Sequence, residues 1–359
     1  MTMKRLILTA FWASLLLVGC SKSPAPKGPE TFDRYIFFSQ QVESKASLIG
    51  SVGDMKGKSF GVVGFKFDQG SSWGDYIGKT PTAEPNVFYD ENGALVNVET
   101  ISCDEDGFGT YAPLQGWHGA YKYTFFACYP VPGSIGSVTM VNNSTDGGSY
   151  TGGTPAIQYS NPNHDKSLMV DLMTAPAIRN AYWKSSSVYS EGNSTGDITF
   201  AFQHCLSSLG IKVKKSIDNE IVLNSLTLDI SGIQNESIRM TMDTPSSGTS
   251  TAAGTNTANY TLTVAEAEKT ITKDGVELAD KLIFIPQTTD LTISLTVNYT
   301  RKGVGNYEDY TGSYTYKDIK TALSQGKKHL IHLNFTETTV EVSTSVNNWT
   351  TYTVDNTFN

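Results

Sequence analysis

The chain is 359 residues long, 39% hydrophobic, 17% charged and 11% aromatic, with 35 acidic against 27 basic residues. A formal charge of −8 with no Lys/Arg cluster excludes nucleic acid as a partner, because that binding is driven by phosphate neutralisation. Ser, Thr, Asn and Tyr fill the place of the missing charge, which disfavours coiled coils and helical bundles and suits β-strands with hydroxyl-rich faces, over a length for about two domains.

Residues 1–19 read as a lipoprotein signal peptide. Lys4 and Arg5 precede an apolar stretch over residues 6–18, the length of a signal h-region and too short to span a bilayer. It ends in Leu17-Val18-Gly19-Cys20, a lipobox-like sequence that makes Cys20 the lipidation site and outer-membrane lipid the first partner. Residues 20–33, rich in Pro and Gly, form a lipidated tether. With Cys20 assigned to lipid, Cys103, Cys128 and Cys205 remain. An odd number excludes a fully paired disulfide framework and leaves open one bridge, such as Cys103 to Cys128, or buried free thiols.

Tyr35-Ile36-Phe37-Phe38-Ser39-Gln40-Gln41-Val42 reads as a strand with Ile36, Phe38 and Val42 on one face. Residues 62–67, 121–129 and 168–172 read as further strands. The stretch 184–197, rich in Ser, Gly, Asn and Thr, is the expected linker between an N-terminal domain (34–183) and a C-terminal domain (198–359). Beyond it, alternation is regular: Leu209, Ile211 and Val213; Leu226, Leu228 and Ile230; Tyr260, Leu262 and Val264; Leu291, Ile293, Leu295, Val297 and Tyr299; Ile331, Leu333 and Phe335. Residues 244–257 read as a long surface loop, and residues 265–269 and 317–323 as short helical turns. Short strands separated by Asn-Gly, Asp-Gly and Gly-Gly turns make the fold class all-β, with antiparallel sandwiches.

Catalytic constellations are scarce. His204 and Cys205 are adjacent, so on a strand they point to opposite faces and do not form a nucleophile–base pair. His204 shares a face with Phe200 and Phe202 and reads as a packed structural histidine. His118, His164 and Asp165 lack further ligands at zinc spacing, and Asp104-Glu105-Asp106 reads as a solvated loop. No catalytic residue, metal site or cofactor is expected. Trp73, Tyr111 and Trp117 lie in loop-like segments near Gly and Asp, where exposed rings can stack on a host or bacterial surface glycan or on a protein. They define the alternative reading, a surface glycan-binding lipoprotein.

Four features in order resemble the fimbrillin-like lipoproteins of Bacteroidales, subunits of type V pili and their accessory relatives. They are the lipobox with its tether; the strand 35–42 followed by Glu43-Ser44-Lys45-Ala46; Val170-Asp171-Leu172-Met173-Thr174-Ala175; and Ile198-Thr199-Phe200-Ala201-Phe202-Gln203-His204-Cys205-Leu206-Ser207-Ser208-Leu209. Gly326-Lys327-Lys328, the strand 330–335, Val340-Glu341-Val342 and Trp349 are similar to the family's C-terminal pattern. The resemblance implies two tandem transthyretin-like antiparallel β-sandwich domains in a non-enzymatic, lipid-anchored protein of the outer-membrane surface. It also implies partnership with other pilus subunits by strand exchange, after a processing protease removes the N-terminal strand. In the family the cut follows a basic residue, usually Arg, before Ala. Here Lys45 precedes Ala46 and the alternative Arg34 lies before the strand, where a cut would leave the strand in place. A donor strand is expected near the C-terminus; residues 350–359, with Tyr352 and Val354 on one face, are short for a full groove. That shortness favours a tip or accessory subunit over a stalk subunit.

Overall fold

The computed structural model describes residues 34–42, 57–80, 83–104, 108–141, 154–184, 187–190, 193–195, 198–243 and 248–349. The expected signal peptide, Cys20, the tether, Lys45, Ala46, Glu105, Asp106 and residues 350–359 lie outside them.

Strands dominate and are arranged mainly in three sheets. The ten-stranded sheet runs from Met173–Thr174 through Ile198–His204, Phe38–Val42, Phe108–Thr110, Glu99–Cys103, Ser59–Asp68 and Tyr121–Tyr129 to Ile178–Lys184, Ser187–Ser190 and Asn193–Thr195. Met173–Thr174 also pairs with Tyr121–Tyr129, so the first seven of these strands close into a circuit. Phe60, Val62, Phe125, Phe200 and Phe202 fill it.

A seven-stranded sheet centres on the 21-residue strand Ile221–Thr241, flanked by Gly248–Leu262 and Gln287–Arg301, with Tyr310–Leu323 at one edge. It packs on a five-stranded sheet in which Ser207–Lys215 runs parallel to Lys327–Phe335, which in turn pairs antiparallel with Val340–Asn348. The alternating residues decide which face is inside: Leu291, Ile293, Leu295 and Val297 of one sheet and Ile211, Ile331 and Leu333 of the other are all fully buried. Burial of each such side chain contributes about 1.5–3 kcal/mol.

Several expectations are revised. The stretch 184–197 holds Ser187–Ser190 and Asn193–Thr195, which extend the first sheet as a hairpin on Ile178–Lys184. Ile198–His204, expected to open the second domain, is a member of the first sheet. Conversely, Val138–Val141 and Ala156–Ser160 extend the sheet of Ile221–Thr241. Val63, Phe65 and Leu172 therefore share an apolar cluster with Ile238, Met240, Ile283 and Trp349, and the two halves are joined by a core. The expected loop 244–257 includes most of the strand Gly248–Leu262, whose Thr and Ser suit a solvated ladder. Residues 317–323 belong to the strand Tyr310–Leu323, where Asp318 at φ 60 accompanies a register shift.

The expected strand 168–172 is instead a 3-10 turn, Lys166–Leu168, and an irregular crossing. Asp165 caps the turn by accepting from Ser167 N at 2.8 Å. The helix Trp73–Lys79 was not signalled by periodicity; the capping box of Ser72 and Asp75 starts it. Glu266–Lys269 is helical, as residues 265–269 suggested. Cys103, Cys128 and Cys205 are buried free thiols, which resolves the disulfide alternative. Burial pushes the Cys103 thiol up to about 11 and that of Cys205 up to about 12.

Candidate functional site

The N-terminal strand occupies the inside of a sheet. Phe38–Val42 runs parallel to Ile198–His204, with Phe38 opposite Ile198 and Val42 opposite Phe202. Its other edge is antiparallel to Phe108–Thr110, with Phe38 opposite Gly109 and Ser39 opposite Phe108. Just before it, Arg34–Tyr35 pairs with Gly116–Trp117, and Ile36 N donates to Gln115 O at 2.8 Å. The segment thus makes main-chain bonds on both sides.

Two of its side chains are buried as deeply as any in the core. Ile36 is 0% and Phe38 1% exposed. The Phe38 ring stacks on Phe200 at 5.9 Å and meets Phe125 edge-on at 5.3 Å, with Phe88 and Tyr111 at 6.1 and 5.7 Å. Phe37 points the other way and is exposed, with the Arg34 guanidinium 5.9 Å from its ring and 5.1 Å from that of Trp183. The side chain of Val42 falls outside the described residues.

Two residues adapt the surrounding wall to this strand. Tyr111 Oη donates to Ile36 O at 2.9 Å and accepts from Gln115 N at 3.3 Å, and its burial holds the phenol well above its ordinary pKa. Gly109 leaves room: a Cβ there would stand 2.3 Å from Ile101 Cγ2 and 3.0 Å from the Phe38 carbonyl oxygen. Glu99, whose charge is felt by Tyr111, has its carboxyl pushed up to about 7 by burial.

Taken out, the segment would leave a slot floored by Phe88, Tyr111, Phe125 and Phe200 and bordered by the unpaired edges of Phe108–Thr110 and Ile198–His204. Such a slot binds an extended chain, by main-chain hydrogen bonds and alternate side-chain pockets.

The expected stacking aromatics are not on the surface, which corrects that expectation. Trp117 is 1% exposed and packs edge-on against Tyr123 at 4.9 Å; Trp73 lies 5.1 Å from Phe65 and 5.6 Å from Phe126; Tyr111 belongs to the strand's wall. Their loops fold back because burying an indole or phenol ring outweighs leaving it in water when a core wall is adjacent. The glycan-binding alternative loses the residues on which it rested.

His204 is buried beside Phe200 and Phe202 as a packed residue, with partners that the local sequence did not signal. Its Nδ1 lies 2.6 Å from Asp171 Oδ1, and the Trp349 indole stacks on its ring at 4.3 Å and 10°. Asp171 and Trp349 had been singled out only as parts of motifs. His118 accepts from Ala120 N at 3.2 Å, and His164 is buried at φ 53. Among the described residues no three His, Cys, Asp or Glu side chains are grouped to hold a metal.

A fimbrillin-like family model matches residues 63–349, most of the chain. The chain belongs to the fimbrillin-like family. A crystallised fimbrial protein from Bacteroides vulgatus superposes with a TM-score of 0.53 at 18% identity, covering 89% of this chain and 100% of its own. A candidate cell adhesion protein from Bacteroides uniformis (TM-score 0.45, 16% identity, 89% and 100% covered) and a fimbrial assembly protein from Parabacteroides distasonis (TM-score 0.34, 10% identity, 87% and 98% covered) are more distant. No curated protein matches. For this fimbrillin-like chain the fold is therefore the family's all-β one, and the role is structural, not enzymatic.

Proposed function

We propose that this fimbrillin-like protein is a cell-surface adhesion subunit of a pilus, joined to other subunits through the slot that residues 34–42 now fill. The observation that carries the reading is the position of Phe38–Val42 between two strands of a closed circuit, where its removal frees two main-chain edges and an aromatic floor together. A strand from another subunit restores the same bonds, so exchange is close to balanced in free energy once the resident strand has been cut loose.

Cleavage between Lys45 and Ala46 detaches the whole segment, whereas cleavage at Arg34 retains it. Cys20 carries the lipid that holds the precursor at the outer membrane, and a trypsin-like protease is the processing partner. Val340–Asn348 is hydrogen-bonded along its full nine residues to Lys327–Phe335, so recruiting residues 340–346 as donor would break that ladder. That closed ladder makes residues 340–346 a poor donor, which favours a tip or accessory place over the stalk.

N-terminal sequencing and mass of the surface-extracted protein test this directly. A start at Ala46 is expected; a start at Tyr35, or a mature form still bearing lipid on Cys20, would overturn processing after Lys45. Deleting residues 350–359 is expected to leave pilus length unchanged, and arrest of growth would assign a stalk role instead.

A further inference from the structure

Where the two halves meet, four separate stretches line a cavity of about 440 Å³. Lys58 precedes the strand Ser59–Asp68, Tyr129, Pro130 and Ile135 end and follow Tyr121–Tyr129, Lys166 to Asp171 come from the crossing segment, and Ala279 to Ile283 from the second half. Its character departs from that of the molecule. The chain carries −8, yet the lining presents Lys58, Lys166 and Lys281 against Asp171 and Asp280. Behind it, Lys328 and Lys281 share the single carboxylate of Glu277, at 2.5 and 3.3 Å. Lys166 is bridged to Asp280, while Lys58 makes no ion pair among the described residues. Lys58 is thus the lining ammonium left for a ligand, and in a partly enclosed recess it attracts an anion more strongly than on an open face, with Lys166 beside it still having donors to share.

The remaining lining narrows the class of anion. Tyr129, Pro130 and Met169 also line it, and apolar side chains beside charged ones suit the C–H face of a pyranose ring. The Asp280 carboxylate already accepts from Thr263 N at 2.6 Å and from Lys166, and it has further lone pairs for hydroxyl donors. A bare phosphate would use the lysines and leave the apolar side chains and the acceptor idle. A sugar carrying a carboxylate uses all three.

We propose that this junction cavity binds an acidic monosaccharide unit, a uronic or sialic acid, with its carboxylate at Lys58 and Lys166 and its ring on Tyr129 and Pro130. The site supplies the ligand class for the adhesive role proposed above and rests on that surface role, but it shares no residue with the slot of residues 34–42.

The test is calorimetric titration of the full-length protein in detergent with glucuronic, galacturonic and N-acetylneuraminic acids, glucose and inorganic phosphate. Saturable binding of at least one of the acids is expected, with glucose about tenfold weaker or worse. Lys58→Gln should weaken the acid about fivefold, Lys58→Arg should retain it, and Ile135→Trp, which fills the cavity without changing charge, should abolish it. Thermal melting of each variant checks folding; if Ile135→Trp does not fold, the two Lys58 variants decide. Absence of binding by all three acids, equal binding of glucose, phosphate binding as tight with the same Lys58 dependence, or indifference to the Lys58→Gln substitution would overturn the proposal. Strand exchange does not enter the titration, so a negative result here leaves the slot reading intact, and loss of pilus assembly leaves this site intact.

Discussion

The two terminal strands of the described chain differ in what holds them. Phe38–Val42 has a partner on each side and follows Ile36, with the Phe38 ring against four aromatics, Phe88, Tyr111, Phe125 and Phe200. Val340–Asn348 lies at a sheet edge with one partner, and apart from Val340 it is mostly exposed, Val346 to 56%. The inner strand gains apolar burial and two ladders, yet it is joined to the rest of the first half by the stretch that carries Lys45-Ala46. The edge strand gains a long ladder and little burial, and its far end is fixed by Trp349 on His204. A strand becomes exchangeable through what its removal uncovers, and only the inner one uncovers a floor and two edges.

Substitutions can break or sharpen this contrast. The largest effect is expected from Phe38→Ala, which should cost the uncut protein about 3–5 kcal/mol in denaturant unfolding, while Val346→Ala stays within about 0.5 kcal/mol. If the two cost the same, the contrast fails. Gly109→Val comes next. Its side chain meets Ile101 and the Phe38 carbonyl, so a loss of about 1–3 kcal/mol is expected, and melting of the uncut protein measures it.

Tyr111→Phe should cost about 1 kcal/mol by removing the bond to Ile36 O, with faster amide exchange confined to the N-terminal strand. The smallest effect concerns pH. Glu99 holds its proton more tightly folded, near 7, than at its ordinary 4.5, so its contribution is present in full below about 4.5 and is lost as pH rises through about 7. Glu99→Gln should flatten that slope and raise stability at pH 8 by up to about 1 kcal/mol, the value being reduced because the carboxyl is partly in water. Equal pH profiles for the two proteins would remove Glu99 from the account.

What was legible in the sequence was local. Alternation at Leu291 to Tyr299 named the inward residues, because a strand's side chains must alternate wherever it sits. The same rule put Ile36 and Phe38 on one buried face and separated His204 from Cys205. Less legible was anything set by what lies across the fold. Trp73, Tyr111 and Trp117 carry loop signals, and only the aromatic walls opposite them decide that they are core. The Ser- and Asn-rich stretch near residue 190 breaks the apolar pattern, yet its backbone finds a free edge on Ile178–Lys184 and pairs there. His204 is a packed histidine by its neighbours in sequence, but its carboxylate lies 33 residues away and its indole 145 residues away.

The sequence by itself determined that this protein is all-β, that Ile36 and Phe38 share one face of the N-terminal segment, and which residues of the second half alternate inward. These follow from side-chain period and composition, which act between neighbours. Tertiary structure alone decided that the N-terminal strand is interior, parallel to Ile198–His204, and that the two halves share a core around Leu172, Ile283 and Trp349. Which edges pair, and which faces close, depends on long-range burial of apolar surface and on satisfying every main-chain group at once, and neither is a property of any local window.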